Sequence, residues 1–143
     1  MARPDHILDG ITVKIREKIG AIAAVERNAM RPTRAGAALV SISFAGDSPN
    51  FTNLAFIDWE MRVVTEISLF DKLDKMDSQF MNLRAGIHEA LMTDQTLGLS
   101  YVQSITPDDV GEPEINDDGD RFAVSVEVTW LVKYRTAKNS IEA

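Results

Sequence analysis

Along residues 55–69 the odd positions read Ala55, Ile57, Trp59, Met61, Val63, Thr65, Ile67 and Leu69. Along 122–134 the even positions read Phe122, Val124, Val126, Val128, Trp130, Val132 and Tyr134. Period-2 alternation puts one apolar and one mostly polar face on each stretch, which predicts two long strands. At about 3.3 Å per residue, the first would span roughly 50 Å. A globule of this length should measure roughly 37 Å across. Such strands overrun the globule unless they bend or reach a neighbour, which suggests a part made for assembly.

The helical period appears twice. Residues 5–26 place Ile7, Ile11, Ile15, Ile19 and Ile22 on one face, with Leu8 beside them, and predict an amphipathic helix capped by Asp5 with Pro4 outside. Gly10 and Gly20 weaken it by about 1 kcal/mol each, either as close-packing points or as a break. Residues 74–92 predict a second helix, with Met76, Phe80, Leu83, Ile87 and Leu91 as its buried stripe and Gly98 just past its end. Ala37–Phe44 reads as a strand buried on both faces near its start. Gly46-Asp47-Ser48-Pro49-Asn50 reads as a turn or longer loop, and residues 99–105 as a short strand. The segment from Ala137 to Ala143 is expected to be mobile. The fold expected is α+β: two amphipathic helices packed on an antiparallel or mixed sheet with two unusually long strands, in a single domain over 1–143.

Charge changes the picture at one place. The net charge is −7, and residues 107–120 hold seven acids and no base, leaving 15 acids against 15 bases elsewhere. The chain reads as a neutral body with one acidic loop, which argues against a body-wide basic surface for duplex DNA. There is no cysteine, so neither disulfide nor thiolate chemistry is expected. No apolar run approaches the roughly 20 residues a transmembrane helix needs, and no signal-peptide core is expected from Met1–His6. Asn50-Phe51-Thr52 matches a glycosylation acceptor by chance.

Catalytic constellations do not assemble. His6 and His88 are the only histidines, and His88 lies beside the second helix's stripe without a partner histidine. None of the eight glycines is spaced Gly-x-Gly, so neither a dinucleotide fingerprint nor a phosphate loop fits. Gly98-Leu99-Ser100-Tyr101-Val102 half resembles a nucleophile elbow but ends in Val102. Aligning Gly119 with the glycine of a calcium loop puts Glu114, Asn116 and Asp118 on ligand positions. Ser125 then falls where a bidentate glutamate is needed. Arg27, Arg31 and Arg34 read either as a phosphate or acidic-partner contact or as helix-end charge and solvated loop. Asp58, Glu60, Arg62 and Glu66 share the polar face of the first long strand, a solvated or subunit-facing surface. The acidic loop reads as a solvated connection or as a loop facing a passing polyanion that it repels.

The stretch Leu83-Arg84-Ala85-Gly86-Ile87-His88-Glu89-Ala90-Leu91-Met92-Thr93-Asp94-Gln95-Thr96-Leu97-Gly98 resembles the helix and helix exit of bacteriophage tail terminator and related neck or tail-completion proteins. Ala90-Leu91 and Asp94-x-Thr96-Leu97-Gly98 carry the match, and Val132-Lys133-Tyr134-Arg135-Thr136 is similar to the family's closing strand. Gln95 and Leu99 depart from it, standing where proline and a second glycine are more common. The resemblance implies a structural virion protein without catalysis, cofactor or metal. Such a protein forms a ring, a hexamer by resemblance, on the tail tube protein, ends tube growth and joins the head-side connector protein. It meets the sheath protein if the tail contracts, and DNA passes through without sequence-specific binding. It is assembled in the host cytoplasm, with no membrane involved. The candidate subunit and tube interface is Trp59, Met61, Arg62, Glu66, Glu127, Thr129, Leu131 and Lys133. The candidate channel-facing acids are Asp108, Asp109, Glu112, Glu114, Asp117, Asp118 and Asp120. Another head–tail joining protein of similar fold is the nearest alternative. A small enzyme and a dimeric binding module are the others.

Overall fold

The computed structural model describes residues 1–29, 37–71, 73–118 and 121–142. Two helices, α1 (Arg3–Ile19) and α2 (Leu73–Thr93), and six strands, β1 (Ala24–Arg27), β2 (Ala38–Thr52), β3 (Phe56–Asp71), β4 (Val102–Val110), β5 (Glu114–Asp118) and β6 (Arg121–Ala137), form an α+β fold. The strands make one mixed sheet in the order β1-β2-β3-β6-β4, with β5 also paired to β6. Only β1 and β2 run parallel.

The two long strands are β3 and β6, paired without a register break from Phe56↔Ala137 to Asp71↔Phe122. Their apolar sets fall on one face. Met61, Val63, Ile67 and Leu69 meet Val128, Trp130, Val132 and Tyr134 there, and α1 and α2 close over them through Ile7, Ile11, Ile15, Met76, Leu83, Ile87 and Leu91. Thr65 breaks the apolar row but is satisfied: its hydroxyl donates to the Val128 carbonyl at 3.0 Å and accepts from the Trp130 indole at 3.2 Å. Gly86 lets the helices approach, since a Cβ there would run into Ile19 Cγ2.

Several expectations are corrected. The first helix stops at Ile19 rather than Glu26. Gly20 caps it, donating its N–H to the Arg16 carbonyl at 2.8 Å, and the chain turns into β1. Ile22 therefore leaves the apolar face and is 62% exposed, while Ala23 and Val25 are buried in alternation. The run Ala21–Val25 satisfies both periods, and pairing of β1 with β2 draws it into the strand. The N-cap is Ala2, with no side-chain cap bond, and Pro4 lies inside the first turn. Asp5 instead places its charge in that turn, where the helix dipole favours it.

The turn or longer loop expected at Gly46–Asn50 is strand. β2 continues through it with irregularities between Phe44 and Asp47 and between Pro49 and Phe51. Bulges absorb the extra residues, and Pro49 is tolerated because β1 has already ended and β2 is the outer strand there. The turn comes later, where the Asn53 side chain accepts from the Ala55 and Phe56 N–H groups at 2.8 Å each. The short strand expected at 99–105 starts at Val102 and runs to Val110. The acidic loop expected over 107–120 is mostly strand, because β4 reaches Val110 and β5 pairs Glu114–Asp118 with Ser125–Arg121. Near the C-terminal end Ala137 bridges Ser140, and the Arg3 N–H donates to the Ile141 carbonyl at 2.9 Å.

Candidate interaction surface

Both helices cover one face of the sheet. On the other face Leu39, Ser41, Ser68 and Ser125 are buried, with the Ser41 hydroxyl accepting from the Ala29 N–H at 3.0 Å. The remainder, toward the β2–β3 hairpin, is exposed or half-buried among the described residues and forms an open face. The even residues of β3 and the odd residues of β6 stand on this open face in rows fixed by the register. Glu60 faces Lys133, Arg62 faces Leu131, Val64 faces Thr129 and Glu66 faces Glu127. β2 adds Ser43 beside Val64 and Ser41 beside Glu66, and β4 adds Thr106 beside Leu131. Of the interface residues expected from sequence, Arg62, Glu66, Glu127, Thr129, Leu131 and Lys133 are brought together here.

Two are not. Met61 belongs to the odd set of β3 and is fully buried under the helices, so it cannot meet a partner in the folded chain. Trp59 lies on the same helix-covered side, stacked on Tyr134 at 6.5 Å with its indole donating to Thr136 at 2.9 Å. Beside it, Ala2, Leu8, Phe44 and Ile141 line an open groove of about 400 Å³. There the Tyr134 hydroxyl donates to Asp47 at 2.6 Å. Burial, then the Asp47 hydrogen bond, pushes the Tyr134 phenol far above its ordinary value.

Charge on the open face is ordered along the strands. At the hairpin end, Arg135 grips Asp58 with two bonds, 2.7 and 3.1 Å, and lies 3.6 Å over the Phe56 ring. This guanidinium holds the Asp58 carboxyl below the usual carboxylate range. In the middle, Arg62 has only a loose contact, 3.8 Å to Asp108, and more than half of its side chain is exposed. Further along, Glu66 and Glu127 stand directly opposite each other. Like charges so placed oppose folding. Glu66 accepts from the Ser68 hydroxyl at 3.3 Å, and neither carboxylate forms an ion pair among the described residues.

The sheet's two sides also end in unpaired backbone. β1 covers β2 only at Leu39–Ile42, so no strand among the described residues pairs the outer side of β2 from Ser43 to Thr52. β4 is the opposite edge. The β2–β3 hairpin carries Phe51 and Leu54 into solvent, Leu54 at 93% exposure. Sequence reasoning missed this arm because Gly46 and Pro49 imitate a turn.

The acids expected to face a channel are divided. Asp108 and Asp109 lie on β4, Glu112 lies in the short connection after it, and Glu114, Asp117 and Asp118 lie on β5. Asp120 is outside the described residues, as are Arg31 and Arg34. Arg27 sits on β1 between Asp9 at 2.9 Å and Asp5 at 3.5 Å, so helix carboxylates neutralise it. His88 is exposed, its ring 5.9 Å from that of Trp130. Ser100 lies on a helix-to-strand turn, the reverse of an elbow. No group of three His, Asp or Glu side chains placed to hold a metal occurs among the described residues. Of the resembling motif, Leu91 is buried under the sheet, Asp94 pairs with Lys14 at 3.1 Å, and Leu97 and Gly98 take positive φ at the helix exit. No protein-family model matches the chain, and no curated protein matches it.

Proposed function

We propose that this chain is a structural virion protein of the tail-terminator kind. It assembles as a ring, a hexamer, on the last ring of a phage tail tube, ends tube growth there and joins the tail to the head-side connector. The observation that carries the reading is a sheet that, among the described residues, has unpaired backbone on two unlike edges, β2 and β4, and between them a face that the helices leave uncovered toward the β2–β3 hairpin. Two different edges suit a head-to-tail cyclic contact, in which strand addition supplies affinity through main-chain hydrogen bonds. The open face, with Arg62, Glu127, Thr129, Leu131 and Lys133, is then free to meet the tube protein. The resemblance over Leu83–Gly98 and Val132–Thr136 supports the same reading. The acidic segment around β5 repels phosphate, which favours passage of DNA over its retention.

Electron microscopy of the purified protein, alone and mixed with its cognate tail tubes, tests the reading. Rings, or caps at one tube end with tube length limited, are the expected result. Uncapped tubes of unchanged length overturn it.

A further inference from the structure

The outer edges of β2 and β4 carry the same irregularity. In an antiparallel strand the N–H and C=O of one residue point to one side, and successive residues alternate. On β2 the Ile42 carbonyl accepts from the Asn28 N–H, so Ile42 points away from β3. The residues in phase with it are those opposite odd-numbered β3 residues: Phe44, Asp47, Pro49 and Thr52. On β6 the Glu127 carbonyl accepts from the Gly111 N–H and the Arg135 N–H donates to Tyr101, so the odd-numbered residues bond β4. The β4 residues opposite even-numbered ones therefore point outward: Val110, Pro107, Ile105 and Val102. Bulges space both rows unevenly. Along β2 the row steps from 44 to 47, 49 and 52, which is three, two and three residues. Along β4, read backwards, it steps from 110 to 107, 105 and 102, again three, two and three.

We infer that β2 of one copy pairs antiparallel with β4 of the next in a single register, with Phe44 opposite the partner's Val110, Asp47 opposite the partner's Pro107, Pro49 opposite the partner's Ile105 and Thr52 opposite the partner's Val102. The inference rests on the head-to-tail ring reading and gives that contact its register. A regular strand presents an outward group at every second residue, so it loses step with either edge at the first bulge. An edge with the same steps stays in place along the whole length. Sliding either row by one place sets threes against twos. Strand direction agrees: β2 and β4 run antiparallel within the sheet, so copies set side by side in one orientation bring these edges together antiparallel, and the contact repeats around a ring.

Among the described residues the only backbone hydrogen bond that either outward row makes is that of the Val102 N–H, given to the Leu99 carbonyl. The chain leaves the β2 edge at Asn28, which takes a φ of 52°, and re-enters the sheet at Ala37, which accepts from the Phe70 N–H; both points lie on the β1 side of Ser43. The three-two-three spacing reads the same in both directions, so it would also let β2 pair with β2 or β4 with β4. Side chains decide. Phe44 at 49% and Val110 at 37% are the exposed large apolar residues on the two rows, and only the unlike pairing sets them directly opposite, where cross-strand contact is closest. Pairing β2 with itself puts Phe44 opposite Thr52 and brings the two Asp47 carboxylates to adjoining positions. In the unlike pairing Asp47 faces a proline. Asp108 and Asp109 fall against Ala45 and Gly46, Asp108 lies 3.8 Å from its own Arg62, and Asp109 shares a cleft with its own Arg84.

The chain has no cysteine, so disulfide trapping reads the register directly. Bonded antiparallel neighbours have Cα atoms about 5.5 Å apart, within the disulfide range. The double variant Phe44→Cys/Val110→Cys is oxidised, alone and with cognate tail tubes, and run on non-reducing gels, with circular dichroism to verify folding. A ladder of linked copies should appear. An equimolar mixture of the two single variants should stop at the linked pair, and neither single variant should link to itself. Phe44→Cys/Pro107→Cys should link at least 10-fold less. Self-linking of Phe44→Cys or of Val110→Cys overturns the unlike pairing, and a stronger link to position 107 overturns the register. Rings in micrographs without the 44–110 link overturn the inference and leave the ring reading standing. The ladder together with uncapped tubes of unchanged length keeps the contact and overturns the tail-terminator reading. Neither link nor ring overturns both.

Discussion

Thr65 occupies a position where the alternation of β3 calls for an apolar side chain, and it is fully buried. Its hydroxyl joins the Val128 carbonyl to the Trp130 indole. Valine has nearly the same shape but cannot accept, so Thr65→Val strands a buried N–H, a loss of about 1–3 kcal/mol. Urea denaturation should show a lower midpoint with an unchanged slope; a midpoint equal to wild type would mean that the indole finds another acceptor. Asp58 gives a pH-dependent counterpart. Its carboxyl is held below the ordinary range chiefly by the Arg135 hydrogen bond. A group whose folded pKa is depressed stabilises the fold above its unfolded pKa, about 3.9, and loses that contribution as pH falls through the folded value. Asp58→Asn should therefore be less stable than wild type at neutral pH. The difference should close in strong acid, and a gap that persists at low pH would show that packing, not charge, is responsible.

Two glycines in the helices behave oppositely although sequence treats them alike. At Gly86 a methyl group would meet Ile19 Cγ2, part of a β-branched side chain with little rotamer freedom in a helix. Overpacking of this kind costs about 1–3 kcal/mol, more than the roughly 1 kcal/mol that alanine gains in helix propensity. At Gly10 the nearest atom is the flexible end of Leu97 at 3.2 Å, so propensity should win. Thermal melts should place Gly86→Ala below and Gly10→Ala at or above wild type; two changes of the same sign would mean that α1 and α2 are not held at this distance. The same contrast explains what could be read from sequence. β3, β6 and α2 have long unambiguous periods, and the core faces expected for them are those observed. Helix α1 ends early because Ala24–Arg27 pair with β2 and bury Val25, a contact that only the sheet supplies. β2 is longer than expected because an outer strand tolerates Gly46 and Pro49, and outer position is a property of the sheet. The open face is legible in the alternation of β3 and β6, which also places Met61 and Trp59 on the opposite, helix-covered side.

Across the whole molecule, the sheet divides into protected and unprotected backbone. β3 has β2 on one side and β6 on the other along its length, whereas the outer sides of β2 from Ser43 to Thr52 and of β4 have no partner among the described residues. In the free chain, the β3 amides should be among the slowest to exchange with solvent, and outward-pointing amides of Ser43–Thr52 and Val102–Val110 among the fastest. An exposed edge invites association, and bulges and proline are devices that blunt it. Here they fall at Phe44–Asp47, Pro49–Phe51 and Pro107–Val110, leaving short regular stretches between them for a specific contact. If the edges join neighbouring subunits in a ring, hydrogen exchange on the assembled form should show new protection along both edges at once, since one subunit's β2 meets the next subunit's β4. Protection confined to the open face would assign the subunit contact there instead. An assembled ring with both edges and the open face still exchanging freely would remove strand addition from the mechanism and leave the helices as the surface that closes it.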